Sequence, residues 1–186
     1  MNWLNTFLIL ATAYLVVFVE ASFTPMKAWL GVQFDLLPSL IVYVSLTRGL
    51  PMLAAVAFCG GLWFDSISSN PLGVSVLPLF AVGWAIQQYK GLILRNERFV
   101  QRLLGLGASA AVPVLTVLLL MNTDRKPLLG WFSLWQLTFV SLVGAIITPF
   151  WFTIFDWLGK ALNYRPLEEG GFRLDREIKR GRSVIK

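Results

Sequence analysis

The ionisable residues within or beside apolar stretches are few: Glu20, Asp35, Arg48, Asp65 and Asp156. A charge near the centre of a bilayer costs roughly 2.5–3.5 kcal/mol even on lenient insertion scales, so such groups sit at interfaces, inside a helix bundle or on a pathway. Glu20 and Asp65 could in principle act as a general acid/base pair. No nucleophile, metal-ligand set or basic substrate clamp accompanies them. The chain has no His and one Cys, which excludes His/Cys metal sites, Cys/His nucleophile pairs and internal disulfides. The pattern therefore assigns no catalytic, metal or cofactor-binding residue: Glu20 and Asp65 read as acids placed at the outer interface or, in a sharper reading, as facing a shared polar pocket that contacts another protein or a lipid headgroup. Asp65 also closes an apolar helix, where an acid meets the unfavourable end of the helix dipole. It is expected to accept hydrogen bonds from the backbone of the following turn and so fix the angle between two helices. Asp156 reads as an interfacial acid pairing with Lys160 one turn on.

The elements that must position these residues are apolar helices. Of 186 residues, 56% are hydrophobic and only 14% charged, too little polar surface to coat a soluble globule. At ~20 residues per crossing the length admits about six spans, which leaves no room for a soluble catalytic domain. Apolar runs predict spans over Trp3–Phe23, Leu36–Leu46, Pro51–Phe64, Pro71–Tyr89, Leu103–Met121 and Phe132–Leu158. The second run would reach only ~20 Å against a hydrocarbon core of ~30 Å, so it either recruits Val32 to Asp35 or crosses only in part. The fourth is expected to start at Pro71 with Asn70 as its N-cap and to kink at Pro78; Pro149 marks another kink site in the sixth. Met1 to Phe23 lacks a basic leading region and reads as a retained span rather than a cleaved signal.

The basic residues supply the topology. With six crossings, one side carries thirteen Lys and Arg and the other three, which by the positive-inside rule puts the Lys90 to Arg102 connection and the C-terminal tail in the cytoplasm, with the N-terminus on the same side. Residues 1–158 then form the transmembrane domain and 159–186 a basic cytoplasmic tail. The tail, with 8 basic and 4 acidic residues, suits association with anionic headgroups. The net charge of +6 is accounted for by topology, and no nucleic-acid partner is expected. Small residues spaced by four, Ala57/Gly61, Gly105/Ser109 and Gly107/Ala111, mark faces where helix backbones approach closely or a partner helix docks. Lone Cys59 reads as a packing residue.

One stretch is more individual: Gly61-Leu-Trp-Phe-Asp65-Ser-Ile-Ser-Ser-Asn70-Pro71-Leu72-Gly73-Val74. A glycine, an acid four residues later and a Leu-Gly at the start of the next span resemble the signature of the rod shape-determining MreD family. The upstream Phe34-Asp35-Leu-Leu-Pro-Ser-Leu-Ile-Val-Tyr43 also looks like that family's second span. Trp63 departs from the pattern, being bulky where a smaller aliphatic residue is usual, and the basic tail is longer than the family needs. The resemblance implies a non-enzymatic scaffold of the bacterial cell-wall elongation machinery in the inner membrane, with MreC, the MreB filament, and RodA with its transpeptidase as partners. It also implies an all-α, six-helix bundle similar to the S components of energy-coupling-factor transporters. Gly61, Asp65, Leu72 and Gly73 carry over as motif positions, with Glu20 as a further interface candidate. The resemblance also places the motif's meaning in what docks against the corner, so that Asp65→Ala is expected to weaken assembly more than the fold. Two rival readings are a vitamin-like small-molecule binding S component and an intramembrane enzyme acting on a lipid-linked wall precursor.

Overall fold

Long apolar runs broken by Pro, Gly and charge give helices and nothing else. The computed structural model describes residues 3–22, 35–68, 71–91, 93, 97–122 and 130–162, and among these there are six helices and no strand. They are α1 (Trp3–Ser22), α2 (Leu37–Thr47), α3 (Leu50–Ile67), α4 (Val76–Gln88), α5 (Arg98–Asn122) and α6 (Trp131–Leu162). Three of them, α3, α5 and α6, are long and apolar enough to cross a membrane, as a membrane protein requires. Helices α2 and α4 are shorter, at 11 and 13 residues.

Helix α2 is the centre of the molecule. It packs against all five other helices, and every residue from Leu37 to Ser45 is buried. A helix apolar on all sides is stable only when surrounded, and α2 has no polar face to give to solvent. Its 11 residues extend about 16 Å, and it starts at Leu37, so it does not lengthen through Asp35 to full span. Tyr43 stacks on Phe155 at 4.5 Å and meets Phe152 edge-on at 5.1 Å, which fixes α6 against α2. Trp63 meets Tyr14 edge-on at 5.2 Å and joins α3 to α1.

Helices α5 and α6 make the most extensive contact. A Cβ on Gly105 would lie 2.1 Å from the Thr148 hydroxyl, and one on Gly144 would lie 2.0 Å from that of Ser109. The Gly105/Ser109 pair is therefore consumed in internal packing, whereas Gly107 faces open space.

Four expectations about helix ends and kinks need correction. The fourth helix does not start at Pro71 but at Val76, because Leu72 to Ser75 form a turn held by Asp65 from a distance. Pro78 consequently falls in the first turn of α4, where no backbone N–H is needed, and is not an interior kink. Helix α5 begins at Arg98 rather than Leu103, so Arg98 and Arg102 belong to a helix end and not to a loop. Helix α6 also continues to Leu162, past the expected end at Leu158. Pro113 and Pro149 lie inside helices α5 and α6. The expected Asn70 cap and residues 163–186 of the basic tail lie outside the described residues, while 159–162 complete α6.

The chain alternates in direction and confines its described basic residues to one end, with Glu97 and Asp156 beside them. Glu20, Asp35 and Asp65 gather at the other end, with the start of α2, the turn before α4, the end of α5 and the start of α6. The described Lys and Arg residues, Arg48, Lys90, Arg98, Arg102 and Lys160, all belong to the opposite end. There the Gln87 side-chain amide donates to the Arg48 carbonyl at 3.2 Å and ties the ends of α4 and α2 together.

Candidate functional site

At the acidic end, helices α2 and α4 begin inside the bundle, and the first amides of a helix have no partner within it. Carboxylates from elsewhere in the chain supply the acceptors. Asp65, the last buried residue of α3, is 1% exposed. Its Oδ2 accepts the backbone N–H of Gly73 at 2.8 Å and of Ser75 at 3.1 Å, while Oδ1 accepts the Ser75 hydroxyl at 2.5 Å. The acid sits poorly at the C-terminus of its own helix and well at the N-terminus of the next, where the dipole and the orphan amides both favour a negative charge. The expected hydrogen bonds from the following turn are thus present.

The rest of the motif serves the same junction. Pro71, Leu72, Gly73 and Val74 form a turn closed by the Val74 N–H donating to the Pro71 carbonyl at 3.3 Å. Gly73 is its third residue, with φ of +90°, a position that requires glycine in a turn of this kind. Gly61 lies one helical turn before Asp65, and a Cβ there would come within 2.8 Å of Val76 Cγ2 and 3.0 Å of the Val76 backbone. Only a glycine lets the first turn of α4 come this close. Leu72 faces outward, 71% exposed at the tip of the turn.

Glu20 acts in the same way on α2. Buried at 8% exposure, it accepts the Leu36 N–H through Oε1, and Asp35 Oδ1 accepts the Leu37 N–H at 3.2 Å. The Leu36 carbonyl accepts the Ser39 hydroxyl at 2.6 Å, and Ser39 Oγ in turn accepts the Trp151 indole N–H at 2.9 Å, which links the start of α2 to α6. Three acids on three segments thus secure the starts of the two short helices. Among the described residues no group of three or more His, Cys, Asp or Glu is placed to hold a metal ion.

Beside this network a half-open groove of about 560 Å³ runs between the second half of α5 and the first half of α6. Asp35, Phe64 and Ser75 line it at the bundle, and Val112 to Met121 of α5 and Ser133 to Val140 of α6 flank it. The two helices touch at Gly105, Ser109, Gly144 and Thr148, and Pro113 follows one turn later in α5.

Each of the acids Glu20, Asp35 and Asp65 accepts a backbone N–H at or just before a helix start. Glu20 and Asp65 are each occupied with a helix start, and it is Asp35 and Ser75 that line the groove. For Asp65 the burial and the three bonds mean that alanine is expected to weaken the fold as well as any assembly. Asp35, Ser75, Ser39 and Trp151 were missed as site residues. A sequence signal exists for the first two, since an Asp or Ser immediately before an apolar run is a helix-start residue; nothing in the sequence pairs Ser39 with Trp151.

The chain matches no family model, and comparison with curated proteins and with solved structures returns no match.

Proposed function

We propose that the protein is a non-enzymatic integral membrane scaffold of the bacterial cell-wall elongation machinery, of the MreD type, that binds an MreC-like bitopic partner and helps couple the MreB filament to RodA, its transpeptidase and rod shape. In this reading the chain crosses the inner membrane six times, with both termini cytoplasmic and the acidic end facing outward, in the manner of the transporter S components. The supporting observation is the use made of the Gly61, Asp65, Leu72 and Gly73 motif. Gly61, Asp65 and Gly73 build one rigid corner between α3 and α4, and Leu72 is presented at its tip. An apolar side chain held out on a fixed turn is suited to docking.

Co-purification from native membranes tests the proposal. Wild type should retain an MreC-like protein, and Leu72→Asp should lose it without a change in thermal midpoint. A wild-type protein that never retains such a partner would sink the reading. The vitamin-binding alternative is favoured by the groove alone.

A further inference from the structure

The groove between α5 and α6 combines an acid with an apolar lining. Asp35 and Ser75 sit at its inner end, and none of the described lining residues is Lys or Arg. Of the lining residues, Leu118, Met121 and Leu134 are each more than half exposed. In a membrane those side chains face acyl chains, so an occupant enters sideways from the lipid and not from water. A carboxylate at such a place is stabilised by a cation brought with the occupant. The volume of about 560 Å³ lies in the range of small-ligand sites, ~300–1,000 Å³.

From this juxtaposition we propose that the groove is a binding site for an amine-headed phospholipid, with the ammonium on Asp35, an acyl chain between α5 and α6, and the phosphate toward Gln136 at the rim. An ammonium has three donors and matches a carboxylate as a compact charge. An anionic headgroup is repelled by the same acid, which gives the site its selectivity. The proposal does not depend on the identity of any protein partner.

The test is native mass spectrometry of the full-length protein equilibrated with equal amounts of phosphatidylethanolamine and phosphatidylglycerol. Wild type should retain phosphatidylethanolamine preferentially. Asp35→Asn keeps an acceptor for the Leu37 N–H and removes only the charge, so it should lower that retention about tenfold, as expected for a lost charge-assisted hydrogen bond. Val117→Trp should fill the groove and lower retention of both lipids. A photoreactive residue at Val117 in native membranes should label lipid. Equal retention of the two lipids by wild type, which requires no variant, would overturn the proposal. So would unchanged retention by a folded Asp35→Asn protein, or photolabelling of a partner helix in place of lipid.

Discussion

Asp65 holds three donors of the turn that follows it. Replacing it with alanine leaves the Gly73 and Ser75 amides and the Ser75 hydroxyl without their acceptor in a buried place, and each such group costs ~1–3 kcal/mol. Asp65→Ala should therefore lower stability by on the order of 3 kcal/mol, and Asp65→Asn, which keeps one acceptor, by less; thermal unfolding of the purified protein checks the order. Gly73→Ala forces an L side chain to a φ of +90° and should cost about 1 kcal/mol or more. At this scale the sequence was legible where chemistry is local. An acid at a helix end must find donors nearby, and the following turn supplied them. Glu20 was not legible in the same way, because its partner, the Leu36 amide, is brought to it by the packing of α1 against α2.

At the scale of elements, hydropathy located every described helix and misplaced some of their ends. The start of α4 moved from Pro71 to Val76 because the residue that stabilises it, Asp65, lies on another helix, and local cap rules do not see it. The start of α5 moved to Arg98 because Arg is a good helix former and its long stem can lie along an apolar surface. Which small residues would pack inward was open, since a spacing of four does not say what lies opposite. The structure separates them, and a matched pair of substitutions measures the difference. Gly144→Ala sets a Cβ against Ser109 and should cost about 1–3 kcal/mol through overpacking. Gly107→Ala meets open space and should change the thermal midpoint little. The groove was not visible in the sequence at all, because it comes from two helices diverging beyond a close contact.

Across the whole molecule, acids hold the starts of short helices at one end and the described basic residues occupy the other. That polarity is the structural counterpart of the basic-residue bias along the chain, and under the proposed topology it makes the acidic end external. In a Cys59→Ala background, Leu72→Cys should react with a membrane-impermeant thiol reagent in spheroplasts, while Lys160→Cys should react only after the membrane is opened. The reverse pattern would invert the molecule and place the corner on the cytoplasmic side.

The central claim is that the corner between α3 and α4 is a built platform whose outward residue, Leu72, engages a partner. Its most direct measurement is the recovery of an MreC-like bitopic protein with wild type and with Leu72→Asp, each with its thermal midpoint recorded on the same preparation. The account expects recovery with wild type, loss with Leu72→Asp and the same midpoint for both. Undiminished recovery with Leu72→Asp would contradict it.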